Sequence, residues 1–198
     1  MAFNPYEDFV QHSTVNEDII GKYTNVLPHA LINVWKEYGF GSFAKGFMKT
    51  INPDDYQELV NETYMKESSP IPVFATGLGD IIVWDEGATV NETYNYFDMI
   101  YYRKGSTSPL RPVKNLDNDK FFTHDLTNPN SYKNEFFWGP YMEALQVHGT
   151  IPAYDECYGY VPLLGMGGSR NVQNLKIVKI KEHIMLIKEM VGPIPPRG

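Results

Sequence analysis

Apolar residues in the first third of the chain recur with the period of an α-helix. Leu27, Leu31, Val34, Trp35 and Tyr38 fall at i, i+4, i+7, i+8 and i+11, one helical face that Gly39 stops. Before it, Thr14-Val-Asn-Glu17 has capping-box spacing ahead of Ile19, Ile20 and Tyr23 and predicts another helix. A third begins at Asn52-Pro53-Asp54-Asp55. Asn52 can cap it, Pro53 suits the first helical position, and the two carboxylates favour the positive end of the dipole. Its inward face is Tyr56, Leu59, Val60, Thr63 and Tyr64.

The period then changes. "IPVFATGLGDIIVWDEG" is β-branched and aromatic, and predicts strands near 71–76 and 80–85. Ile81-Ile82-Val83-Trp84 is apolar at every position, so both faces of that strand should be covered. "TYNYFDMIYYRKG" reads as a third strand, antiparallel to the second across the turn "DEGATVNE". Residues 105–135 are polar and turn-rich, with room for short helices at 118–126 and 130–137. A helix follows over 139–149. Tyr154–Tyr160 should join the sheet or its edge, and the chain closes with a strand and a helix. Ile180, Ile184, Ile187 and Val191 mark one face of that helix, with lysines and glutamates opposite. The Pro-rich tail from Gly192 should fray. The pattern is α+β: N-terminal helices packed on a mostly antiparallel sheet, with a C-terminal helix. One continuous domain spans 1–198, its helical part about 1–66 and its sheet and last helix about 70–193.

Composition narrows the function. Hydrophobic residues make up 42% and aromatics 14%, enough for a core and too much for wholesale disorder. The 24 acids exceed the 17 Lys and Arg, a net charge of −7 that repels phosphate backbones. Direct nucleic-acid binding is therefore not expected, and a basic protein partner is. One cysteine closes no internal disulfide, which suits a reducing, cytoplasmic setting. The N-terminus shows no signal-peptide pattern, and no window approaches the roughly 18 apolar residues of a membrane helix. No membrane partner is expected.

Chemistry was sought in "YDECYGYVPLLGMGGS", Tyr154–Ser169. Gly165-Met-Gly167-Gly168-Ser169 lacks the Lys-Ser/Thr of a phosphate loop. Cys157 could act as a nucleophile beside His148 or His183, yet Asp155 and Glu156 next to it would raise its pKa. Asp80, Asp155, Glu156, Cys157 and His183 include metal-ligating types, without the spacing of a metal motif. No nucleophile elbow occurs. No catalytic residue, metal or cofactor is expected, which leaves a module that binds another macromolecule. A regulatory binding domain, or a small hydrolase with its site around Asp155–Ser169, stays open.

Three stretches together carry a resemblance. "LPHALINVWKEYGFGSFAKGFMKTINPDDYQELV" resembles the opening of the GAD-like domain. "VFATGLGDIIVWD" resembles its Phe-Gly-Asp strand, with Leu78 in place of the usual Phe. "YDECYGYVPLLGMGGSRNVQNLKIVKIKEHIMLIKEMVGPI" resembles its C-terminal segment. The likeness runs from about Val15 to Pro193 and is weakest over 103–135. The family includes immunity proteins of bacterial type VI secretion, among them antitoxins of DNase effectors. The resemblance therefore implies a cytoplasmic antitoxin that binds a toxin stoichiometrically, does no chemistry, and meets a partner with a basic surface. It implies fold-defining roles for Asn52, Pro53, Gly79, Asp80, Asp155, Glu156, Cys157, Gly159, Gly167, Gly168, Glu182 and His183. Partner contacts are expected elsewhere, on exposed acids and tyrosines: Asp85, Glu86, Glu92, Tyr101, Tyr102, Asp117 and Asp119.

Overall fold

The computed structural model describes residues 4–88, 93–113, 116 and 119–196. Its centre is a seven-stranded antiparallel sheet whose strands follow chain order. They are β1 (Val10–Ser13), β2 (Phe40–Phe43), β3 (Met48–Thr50), β4 (Ile71–Thr76), β5 (Ile81–Ala88), β6 (Thr93–Tyr101) and β7 (Ser106–Val113). Helices α1 (Glu17–Tyr23) and α2 (His29–Tyr38) connect β1 to β2, and α3 (Pro53–Thr63) connects β3 to β4. After β7 come a π-turn at Phe121–Asp125 and helices α4 (Pro129–Asn134) and α5 (Gly139–His148). A separate antiparallel pair, β8 (Glu156–Tyr160) and β9 (Leu175–Lys179), leads into α6 (Ile180–Val191). The architecture is α+β, as the pattern predicts.

The unbroken apolar run of β5 is explained by two cores. Ile82 and Trp84 face one, with Trp35, Phe43, Phe47, Phe74, Phe97 and Phe121. Ile81 and Val83 face the other, with Tyr56, Val60, Ala75, Ile100, Cys157, Ile180 and Ile184. Helices α3 and α6 pack together on this second side. The helix boundaries follow local chemistry. Asn52 accepts a hydrogen bond from the Asp54 N–H at 3.2 Å, with Pro53 in the first turn of α3. Gly39 ends α2 at φ +81°, where a Cβ would lie 2.3 Å from the Ser13 carbonyl.

Several expectations are corrected. The cap of α1 is Asn16, whose side chain accepts from the Ile19 N–H at 2.9 Å; Thr14 lies outside the helix. The N-terminal part is not purely helical: β1, β2 and β3 run to three or four residues each, too short to show a two-residue period. The turn-rich stretch after 105 contains β7. As the last strand of the sheet it can carry Pro109 and Pro112 without breaking an inner ladder. Tyr154–Tyr160 does not extend the main sheet; β8 pairs with β9. Val191 is half exposed and leaves the buried face of α6 to Ile180, His183, Ile184 and Ile187. The tail does not fray at once. The Ile194 N–H donates to the Thr63 carbonyl at 2.8 Å, the Ile194 carbonyl accepts from Met65 at 2.8 Å, and its side chain is buried.

Two substitutions test these constraints. Asn52→Ala should cost about 1 kcal/mol through loss of the cap. A Cβ at Gly168 would sit 2.1 Å from the Pro162 carbonyl oxygen, so Gly168→Ala should cost more, roughly 1–3 kcal/mol of overpacking. Urea midpoints at unchanged slope are the measurement.

Candidate protein-docking site

The Tyr154–Ser169 segment is tied down at several points. The Tyr154 hydroxyl donates to the Thr50 carbonyl at 2.8 Å. Lys49, fully buried on β3, donates to the carbonyls of Gly46 at 3.2 Å and Ala153 at 3.1 Å, and burial lowers its amine to about 8. The Asp155 carbonyl accepts from the first N–H of α6, that of Ile180, at 2.9 Å. Lys179 donates to the Asp155 carboxylate at 2.8 Å and lies 3.2 Å from that of Glu156. That lysine holds the Asp155 carboxyl below its usual range, the opposite of what a general acid needs.

The remaining motif residues pack rather than react. Cys157 is buried, and burial pushes its thiol up to about 12, so no thiolate forms at neutral pH. Gly79, at φ +77°, stands where a Cβ would lie 3.0 Å from the Cys157 sulfur. A Cβ at Gly159 would be 2.5 Å from His183 Nε2. His183 is itself buried, which lowers its pKa. Gly167, at φ +86°, closes a single 3-10 turn at Leu164–Met166. Asp80 is fully buried and accepts from Arg103 Nε at 2.8 Å. Glu182 is exposed on α6. Among the described residues no group of three His, Cys, Asp or Glu is placed to hold a metal.

Three of the seven acids and tyrosines expected at the surface are buried. Asp85 is buried, paired with Lys66, and accepts from the Ser68 hydroxyl at 2.6 Å. Tyr101 is buried and donates to the Glu135 carbonyl at 2.6 Å; Tyr102 is buried and shares a 2.7 Å hydrogen bond with Thr63. Helix α3 and the residues after it cover Asp85 and Tyr102, and Glu135 and Phe137 after α4 pack on Tyr101, which the sequence pattern does not show. Asp119 is exposed. Glu86 belongs to β5, and Glu92 and Asp117 lie outside the described residues. Near Asp85, Asp98 is buried too, with one carboxylate oxygen accepting from Tyr64 at 3.2 Å and the other unpartnered among the described residues. Burial pushes its carboxyl up to about 6.

The structure exposes a different surface. Val161, Met166, Leu186 and Met190 are 46%, 60%, 43% and 49% exposed. The first three line an open hollow of about 330 Å³ with Pro162, Leu163 and Val178, and Met190 follows Leu186 by one turn of α6. Val161 directly follows β8, Met166 ends the Leu164–Met166 turn after buried Leu163, and Leu186 and Met190 lie on α6, whose other face is held in the core. Rigid support of exposed apolar groups is the arrangement of a protein-docking face. Met166 sits inside the glycine-rich word that drew attention as a phosphate loop, and Leu186 on the helix read for its buried stripe. A polar-face scan of α6 is the signal that could have found it. Charge is divided as well: residues 1–95 hold 14 acids and 5 Lys or Arg, while residues 96–198 hold 10 and 12.

Two measurements follow from the buried groups. Cys157 should stay unreactive toward a thiol reagent such as Ellman's in the folded protein and react at once in denaturant; fast labelling of the native state would contradict its burial. Asp98 has a folded pKa of about 6 against roughly 3.9 in an unfolded chain, so its contribution to stability is present below about pH 4 and lost as pH rises through 6. Asp98→Asn should flatten that part of the stability profile and gain about 1–2 kcal/mol at pH 8.

Comparison with known proteins places this geometry. Residues 1–95 match the GAD-like domain, and residues 116–191 match the domain described as T6SS immunity protein Tdi1, C-terminal. None of the curated proteins matches the chain. The crystal structure of Atu4351 from Agrobacterium tumefaciens has the same fold, with a TM-score of 0.69 at 14% identity over 92% of this chain and 86% of that one. The docking face from Val161 to Met190 falls within the second family match. The two matches succeed one another without overlap, and together they make the chain similar to the GAD-like domain over its first half and to the Tdi1 immunity protein over most of its second.

Proposed function

We propose that this protein neutralises a cognate type VI secretion effector by stoichiometric binding through the β8–α6 face. The observation that carries the reading is the exposed apolar set Val161, Met166, Leu186 and Met190, held on elements whose inner sides are fixed in the core. Large apolar side chains on a rigid support lose little conformational entropy on association. The similarity of residues 116–191 to a type VI secretion immunity protein supports this class of partner. The partner in this reading is a nuclease with a basic surface, drawn to the acid-rich first half of the chain. Binding takes place in the cytoplasm, where the effector would reach its substrate. The immunity protein blocks access and contributes no catalytic group.

Co-expression with the effector gene next to this one tests the reading. The native chain should rescue growth and co-purify one to one. Met166→Asp with Leu186→Asp should weaken the complex at least tenfold and abolish rescue, while the melting temperature stays near that of the native chain. Full rescue by the folded double variant would move the docking face elsewhere. A plasmid-degradation assay on the freed effector reports whether it is a nuclease.

A further inference from the structure

A second concave region lies on the other side of Leu163 and Leu164. Two hollows of about 290 and 350 Å³ share Arg103, Lys104, Tyr160, Leu164 and Arg170. Lys133 and the first residues of α5, Gly139 and Pro140, line one; Leu163, His183 and Ile187 line the other. Four cationic side chains thus converge in a protein of net charge −7. Such crowding is unfavourable without an anion, and Arg103 and Arg170 add to burial in lowering the Lys104 amine.

The nearby carboxylate does not neutralise the groove. Asp80 is fully buried, accepts from Arg103 Nε at 2.8 Å and offsets only one of the four cations. The Arg103 side chain is only 10% exposed, and its Nη2 is buried without a partner among the described residues. A buried guanidinium N–H normally has an acceptor. Helix α5, ten residues long, begins at the same hollow with no side-chain cap and no acid in its first turn. Its free N–H groups and dipole favour an anion there. Phe137, a non-glycine residue at φ +54°, holds its ring centroid 3.2 Å from the Lys104 ammonium at the rim. Backbone strain of this kind persists where the surroundings enforce it.

We propose that this groove binds a small phosphate-bearing molecule of nucleotide size, its phosphate seated among Arg103, Arg170, Lys133 and the start of α5. A phosphate supplies several acceptor oxygens and more than one negative charge, which matches several donors better than a single carboxylate does. Leu163, Leu164 and Ile187 offer an apolar wall for the rest of the molecule, and the hollows are of ligand size. A nucleic-acid polymer is disfavoured because its flanking phosphates would meet the acid-rich first half of the chain. The groove adjoins the effector-docking hollow, with Tyr160, Leu163 and His183 between them, and its cations lie outside that hollow.

Calorimetric titration of the full chain with ADP and with inorganic pyrophosphate tests the proposal. One site should saturate in the micromolar range, weakening as salt rises from 50 to 500 mM. Lys133→Ala with Arg170→Ala, both exposed positions, should weaken binding at least tenfold at unchanged melting temperature. Arg103→Gln strands the buried Asp80 carboxylate and is interpretable only beside that double variant. No binding of either probe at millimolar concentration, binding indifferent to the double variant, or tighter binding of a single-stranded oligonucleotide or an acidic peptide would overturn the proposal. Rescue of growth by the double variant in the co-expression assay would keep the two sites distinct.

Discussion

The turn Thr76–Asp80 is the contact on which the two layers of the molecule depend. The Gly77 N–H donates to the Phe47 carbonyl at 2.5 Å, and the Gly77 carbonyl accepts from the Tyr158 N–H at 2.8 Å. A Cβ at Gly77 would meet the Tyr141 ring at 2.4 Å. Thr76 closes the turn on itself: its N–H donates to the Asp80 carbonyl and its hydroxyl accepts from the Asp80 N–H. Gly79 stands against Cys157, and Asp80 holds Arg103 just beyond β6. One five-residue turn therefore touches β3, α5 and β8 and fixes a cation. A side chain at Gly77 would strike the Tyr141 ring of α5, and one at Gly79 would press on Cys157 in the core that Ile81 and Val83 share with Ile180 and Ile184.

This joint explains why the motif residues and the docking residues are different. Asp155 and Glu156 bind Lys179, Cys157 and Tyr158 are buried, and His183 packs on Gly159. All take part in attaching the layer. The solvent side of the same elements is unconstrained, and there Val161, Leu186 and Met190 stand exposed. A face of this kind can change its side chains without disturbing the joint, which lets partner specificity vary on a fixed frame.

Much of the frame was legible in the sequence because its signals are local. Asn52-Pro53 caps α3 as read, Gly39 stops α2, and the four apolar residues of β5 are divided between two cores. The strands that escaped notice are short, like β1 to β3, or polar and at the sheet edge, like β7. The pairing of β8 with β9 is a long-range choice that no window shows. Site residues were harder. An acid after a strand and a Tyr-Tyr pair read as surface by type, yet Asp85 is covered by Lys66 and Tyr102 by Thr63. Exposure is a property of the assembled fold, and the same limit hid Met166, an apolar residue that the fold leaves outside.

The net charge misleads in a related way. A total of −7 argues against a polyanion, because a long chain of phosphates samples the whole surface. It says little about a small anion. Charges at the surface are screened beyond about 8 Å at physiological salt, so apart from Asp80, which pairs with Arg103, distant acids barely reach a groove lined by Arg103, Lys104, Lys133 and Arg170. The local field there is set by those cations and by the start of α5. An acid-rich first half and a basic groove can thus coexist on one chain. The Thr76–Asp80 turn serves both, since it seats the layer that carries the docking face and, through Asp80, orients the arginine of the groove.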